Sequence, residues 1–199
     1  MRLFYSPTSP FVRKVMACAI ARCIEGRIET IRSNPHESPP DLLEANPLSK
    51  VPCLLADDGL ALFDSPAICE FLDSVGDAPA LFPPAGPARW RALKQQALGD
   101  GILDAAVGRR GEMAKPDEAA RRAWMARQKA AIDRALDQLE ADPPRDGMDI
   151  GTITLACALG YLDFRFGAEP WREAHPRLAR WFAGIAETPA LARTAPREG

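Results

Sequence analysis

Hydrophobic and polar positions run through this chain with two periods, and the pattern changes from one to the other partway along. Arg2-Leu3-Phe4-Tyr5 is apolar enough for a short buried strand and stops at Ser6-Pro7. Behind it Phe11, Val12, Val15, Met16 and Ala19 recur at helical spacing, which predicts a helix from Pro10 to about Cys23. Pro10 occupies the first turn, where no N–H is needed, and Ser9 before it is a natural N-cap. Gly26 ends that helix, and residues 27–31 alternate as a second strand. Strand, helix and strand within about thirty residues imply a parallel pair with a right-handed crossover. Residues 33–40 read as a polar loop and 41–44 as a single helical turn at most. Asn46-Pro47 marks a turn, 53–56 a strand, Asp57-Asp58-Gly59 a hairpin turn and 60–63 a further strand. Asp64-Ser65-Pro66 repeats the opening device and starts a helix over 66–74, with Ile68, Phe71 and Leu72 on one face.

From Gly76 to Pro87 the pattern breaks, with prolines at 79, 83, 84 and 87, and beyond it no strand signal survives. The expected division is an α/β domain over 1–77, a stiff linker over 78–87 and an all-helical domain over 88–199. The first helix of that half spans 88–113 through Trp90, Leu93, Ala97, Ile102 and Leu103, with Gly99, Gly101, Gly108 and Gly111 expected to bend or loosen it. The second runs over 116–143 through Trp124, Ile132, Leu136 and Leu139. Asp149-Ile150-Gly151-Thr152 caps a third, whose stretch 153–162 is apolar nearly all round, as in a helix buried inside a bundle. A fourth covers 176–186 with Leu178, Trp181, Phe182 and Ile185.

Composition narrows the function mainly by exclusion. The 199 residues carry a formal charge of −2 and no basic stripe, so a nucleic-acid partner is not expected. No segment approaches the roughly 18 apolar residues that span a membrane, and the N-terminus runs directly into a strand without an apolar signal core, so the expected location is the cytoplasm. Five cysteines without CxxC spacing support neither a disulfide framework nor a zinc site, and no metal is expected. With only His36 and His175, a histidine-based triad is also disfavoured.

Three separated motifs carry a resemblance: Ser9-Pro10-Phe11-Val12-Arg13-Lys14, Asn46-Pro47 through Lys50-Val51-Pro52, and Asp64-Ser65-Pro66. Residues 100–104 and 158–165 add to it. Over nearly its whole length the chain resembles the cytosolic glutathione S-transferases, specifically their bacterial serine-type members. That resemblance implies the glutathione transferase fold, an α/β thioredoxin-like N-terminal domain plus an all-α C-terminal domain. It also implies a homodimer and glutathione bound as co-substrate in the N-terminal half. Two departures stand out. The family often opens its buried helix with Ser/Thr-x-x-Asp, whereas here Asp149 and Thr152 hold those positions exchanged. Where glutaredoxins and cysteine-type transferases carry Cys-Pro-Phe/Tyr, this chain has Ser9-Pro10-Phe11, and a serine cannot form a mixed disulfide.

The resemblance assigns roles that the residue types can perform. Ser9 stands at a helix N-terminus, where N–H groups and the dipole favour an anion, so its hydroxyl can cap the helix or donate to the glutathione thiolate. Thr8, one residue away, offers a competing hydroxyl, and Phe11 follows on the same turn. Val51 precedes Pro52, which the family keeps cis, and its N–H and C=O can pair with the cysteinyl backbone of glutathione. Ser65 can hold the γ-glutamyl carboxylate at a second helix N-terminus. Asp64 can accept from the γ-glutamyl ammonium or cap the helix, and Lys50 can face the glycyl carboxylate or solvent. Asp104 matches an acid that reaches the ammonium from the partner subunit. Cys53 adjoins the site in sequence and reads as a small core residue. The second substrate is a small electrophile, with Arg109, Glu112, Met113 and Trp171 as candidates to line its site. The expected activity is transfer of glutathione to that electrophile. A binding protein without turnover, or a glutathione-dependent isomerase or dehalogenase, remains open on the same residues.

Overall fold

The computed structural model describes residues 1–197. Its first compact unit is built on a four-stranded sheet with order β2-β1-β3-β4. The strands are β1 (Arg2–Tyr5), β2 (Glu29–Arg32), β3 (Cys53–Leu55) and β4 (Ala61–Leu62). β1 runs parallel to β2, pairing Arg2 with Glu29 and Tyr5 with Arg32, and antiparallel to β3, pairing Phe4 with Cys53. β3 and β4 are antiparallel, with Leu54 opposite Leu62. β2 begins later than its alternation predicts, because Glu25–Arg27 tightens into a 3-10 turn first.

Three helices cover this sheet: α1 (Pro10–Ala21), α2 (Pro40–Ala45) and α3 (Ser65–Val75). Phe4 and Cys53 cluster with Leu42 and Ala45 of α2. Leu3 and Leu54, one position along each strand, point to the opposite face and are fully buried. α1 and α3 pack on one another, and a buried guanidinium joins their far ends. Arg22 donates to the carbonyls of Asp73 and Gly76, and its Nε lies 3.2 Å from the Asp73 carboxylate. That carboxylate in turn accepts the backbone N–H groups of Leu81 at 2.7 Å and Phe82 at 3.1 Å. The proline-rich stretch after α3 is thereby anchored, and Leu81 and Phe82 are buried.

The second unit, Trp90–Thr188, is helical. It takes in most of α4 (Pro87–Glu112), then α5 (Ala119–Ala141), α6 (Ile150–Arg165) and α7 (Pro176–Ala186). The glycines of α4 do not break it. A Cβ on Gly99 would lie 2.8 Å from the Thr154 methyl, and one on Gly108 would lie 2.8 Å from the Trp124 ring. These two glycines let α6 and α5 approach closely, which is a packing role in place of the bending expected from the sequence. Every residue of α6 from Ile150 to Leu162 is buried. Its cap is reciprocal: the Asp149 carboxylate accepts from Thr152 N, and Thr152 Oγ1 accepts from Asp149 N, both at 2.8 Å. The exchanged residues therefore close the same box from the opposite side.

After α7 the chain returns to the first unit, which comprises Met1–Arg89 together with the segment from Pro189. There α8 (Pro189–Ala192) buries Ala190 and Leu191 and packs on α1, and the Leu191 carbonyl accepts from Arg13 Nη2 at 3.4 Å. Two apolar residues are too short a signal to separate this return from the helical half by pattern alone. Among the described residues no helix is long and apolar enough to cross a membrane.

Candidate functional site

Strand register brings three distant segments to one end of the sheet. β1 leaves the sheet at Tyr5, β3 enters it at Cys53 opposite Phe4, and β4 leaves it after Leu62. Ser6 to Ser9, Val51-Pro52 and Asp64-Ser65 are the continuations of those strands past the same edge. Two helix N-termini, those of α1 and α3, start there. Aligned peptide dipoles give each a partial positive charge and unpaired N–H groups, so this edge suits an anionic ligand.

Ser9 is the N-cap of α1, with φ −76° and ψ 120°, and its Oγ accepts from Val12 N at 3.3 Å. Its own N–H donates to Ser6 O at 3.1 Å, closing the turn after β1. Capping uses a lone pair of the hydroxyl and leaves its hydrogen available, so capping and donation to an anion are compatible. Thr8, Ser9 and Phe11 are half-buried.

The loop before Pro52 is held by a residue that the sequence marks only as a turn former. Asn46 is 1% exposed; its Nδ2 donates to Lys50 O at 2.9 Å and its Oδ1 accepts from Leu48 N at 3.0 Å. Ser49 takes a left-handed conformation, φ 50°, and its hydroxyl donates to Pro35 O at 3.0 Å. Asn46 thus fixes the segment that presents Lys50 and Val51. An asparagine before proline is the signal that was available, but its burial depends on the loop closing around it. The Val51–Pro52 peptide is cis, as the resemblance implies, Val51 is half-buried, and Lys50 is exposed.

Asp64 occupies the N-cap position of α3, yet its side chain caps nothing; its backbone carbonyl accepts from Ile68 N at 3.1 Å. The exposed carboxylate is therefore not committed to the helix, and of the two roles open in the sequence the capping one is not realised. Ser65 beside it is buried at 1% exposure. Cys53 is a core residue: burial pushes its thiol up to about 11, so it is unreactive near neutrality.

The remaining candidates lie in the helical unit. Asp104 is exposed on α4. Arg109 and Trp171 line a cavity inside this unit, where Arg109 Nη2 bonds Glu169 at 2.6 Å. Glu112 is instead engaged by Lys115 at 2.6 Å and Arg121 at 2.8 Å, and these hydrogen bonds hold its carboxyl below the usual range. Met113 is exposed. Of the four, Arg109 and Trp171 share the lining of that one cavity. Among the described residues no group of His, Cys, Asp and Glu could hold a metal ion.

A sheet of this order, with two helix N-termini and a cis-proline loop at one end, followed by a helical unit, is the glutathione transferase fold. Residues 8–75 match the family model for the glutathione S-transferase N-terminal domain, and residues 122–184 match that for the C-terminal domain. The chain is 35% identical to the uncharacterized GST-like protein YibF of Escherichia coli K12, covering 98% of both. A crystal structure of a glutathione transferase family member from Pseudomonas fluorescens Pf-5 with bound glutathione is 39% identical, with a TM-score of 0.93 over 99% of each chain. A glutathione S-transferase from Methylobacillus flagellatus, also with glutathione bound, is 30% identical with a TM-score of 0.85 over 98% of this chain and 99% of that one. The chain belongs to the glutathione S-transferase family.

Proposed function

We propose that the protein is a serine-type glutathione transferase that binds glutathione at this end of the sheet and conjugates it to a small electrophile. The uncommitted Asp64 carboxylate, beside a buried serine at a helix N-terminus, carries this reading. An acid at an N-cap position normally serves the helix; one that does not is available to the γ-glutamyl ammonium. Relatives at 39% and 40% identity with glutathione or S-(propanoic acid)-glutathione bound support the ligand. Ser65 and the α3 N–H groups then take the γ-glutamyl carboxylate, Val51 the cysteinyl backbone and Lys50 the glycyl carboxylate. Thr8 and Phe11 flank the thiol.

A cysteine thiol is mostly protonated near neutrality, with a pKa of about 8.5. The Ser9 hydroxyl donates to the sulfur, and the α1 N-terminus adds its dipole, so the thiol releases its proton to solvent more readily. The thiolate attacks the electrophilic carbon, an S–C bond forms, and the leaving group, where there is one, departs with the bonding pair. The protein works as a cytoplasmic homodimer in this reading, with Asp104 of one protomer completing the other's ammonium contact.

Thiolate absorbance of bound glutathione, titrated against pH, tests the assignment. One hydrogen bond to an anion is worth about 1.5–3 kcal/mol, or roughly one to two pKa units. Ser9→Ala should raise the bound thiol's pKa by that much, lower activity at neutral pH by about ten- to a hundredfold, and recover part of it at higher pH. If Ser9→Ala keeps the wild-type absorbance while Thr8→Ala loses it, the hydroxyl belongs to Thr8.

A further inference from the structure

Within the helical unit a groove of about 630 Å³ lies between the loop 143–148 and α7. Arg177, Arg180, Trp181, Gly184 and Ile185 line it from α7, at the three- and four-residue spacings of one helix side. Met148 lines it from the loop. Gly184 is the member of this face that packing leaves unexplained. It sits inside α7, where glycine is among the poorest helix formers, yet a Cβ there would meet no atom within 4 Å. Gly99 and Gly108 are required by the residues packed on them; Gly184 is not. Its missing side chain keeps the groove open beside Trp181 and Ile185.

The groove also carries an excess of positive charge. Two guanidiniums, those of Arg177 and Arg180, line it against one carboxylate, Asp146, and no ion pair joins Asp146 to either. Arg177 is held in place: its Nη1 donates to the carbonyls of Glu140 at 3.0 Å and Ala141 at 3.1 Å, with the Glu140 carboxylate nearby. Arg180, one turn further on and exposed, has no acid or carbonyl partner among the described residues. Trp181 and Ile185 are each 9% exposed and give the groove an apolar floor. An unpaired cation beside such a floor complements an amphipathic monoanion. We propose that this groove is a second binding site, for a small aromatic carboxylate. The carboxylate accepts from Arg180, and the ring lies over Gly184 against Trp181, Ile185 and Met148. The site is lined by the helical unit alone and does not depend on the glutathione reading.

2-Naphthoate is the probe, followed by calorimetry and by the NMR signal of the Trp181 indole N–H, assigned with Trp181→Phe. Its comparators are 2-naphthamide, which copies its shape without the charge, and 2-naphthylmethylamine, which reverses it. Naphthoate should bind saturably, about tenfold or more tighter than either, and should shift the Trp181 signal with saturating glutathione present. Gly184→Leu fills the groove where a side chain has open space, so it should abolish this binding while leaving glutathione affinity unchanged and the melting temperature no lower. Arg180→Gln should weaken naphthoate about tenfold and leave naphthamide unaffected. Absence of saturable binding, equal binding of the amide or the amine, displacement by glutathione, or wild-type naphthoate affinity in Gly184→Leu or in Arg180→Gln would each overturn the proposal.

Discussion

Asp64 and Ser65 are neighbours in opposite situations: the carboxylate is exposed and unused by its helix, the serine buried at 1% exposure. In the proposed site Ser65 contacts a ligand carboxylate that is unchanged by the reaction. Ser65→Ala should therefore weaken glutathione binding by about ten- to a hundredfold, with a smaller effect on the chemical step. Calorimetry beside single-turnover rates separates the two, and intact affinity with lost turnover would mean the serine does not hold that carboxylate. The cysteines make a second prediction at this scale. Cys23 is the exposed one; Cys18, Cys53, Cys69 and Cys157 are buried, and Cys53 is pushed up to about 11. One thiol per chain should react with Ellman's reagent in the native protein at pH 8, and Cys23→Ser should remove it. The Ser9 motif was legible because cap, proline and apolar spacing are all local. Asp64's freedom was not, since the same Asp-Ser-Pro triplet fits a capping carboxylate equally well.

At the scale of elements, α7 depends on an acid from another helix. Glu140 of α5 accepts from the backbone N–H groups of Arg177 at 3.1 Å and Leu178 at 2.9 Å, where α7 begins. Desolvation raises its carboxyl, but these two backbone hydrogen bonds, together with the nearby Arg177 and His175, outweigh that and hold it below its ordinary value. A depressed carboxyl contributes stability above its unfolded pKa and loses it as pH falls through the folded one. Glu140→Gln should therefore lower the melting temperature at pH 7, and the gap from wild type should close as pH falls below the ordinary carboxylate range. A gap that persists in acid would show that the charge is not responsible. The capping box of α6 behaves differently because its partners are local. Asp149→Ala should cost about 1 kcal/mol, within the usual span for an N-cap, measured by urea unfolding. That cap could be read from Asp149 and Thr152 three residues apart. Nothing near Pro176 in sequence points to Glu140.

At the scale of the molecule, α4 leaves Trp90 70% exposed, Val107 and Met113 are also exposed, and Trp124 of α5 keeps 40% of its surface exposed beside its contact with Gly108. Trp90, Leu93 and Ala97 share one face of α4, with Leu93 half-buried and Ala97 exposed. More apolar surface on two adjacent helices than a single chain needs is the physical argument for the proposed homodimer. Sedimentation at micromolar concentration should give a dimer, and Trp90→Glu should dissociate it. If Asp104 reaches the partner's ligand, Trp90→Glu and Asp104→Ala should each weaken glutathione binding. A monomeric wild-type protein with full affinity would refute both the dimer and that role for Asp104.

The sequence by itself determined the order of the strands and the longer helices, the change from α/β to all-helical, the caps of α1 and α6, and the three motifs of the family, because each depends on residues within a few positions of one another. Only the tertiary structure decided what distant segments do together. Register in β1, β3 and β4 carried Ser9, Val51 and Asp64 to one end of the sheet, and loop closure buried Asn46. Gly99 and Gly108 of α4 gained their meaning from Thr154 and Trp124, more than ten residues away along the chain. The return of Leu191 onto α1 likewise depends on Arg13, at the opposite end of the sequence. Such contacts leave no period and no spacing to read: which of several equally plausible apolar or polar partners a residue meets is fixed by close packing of the whole fold.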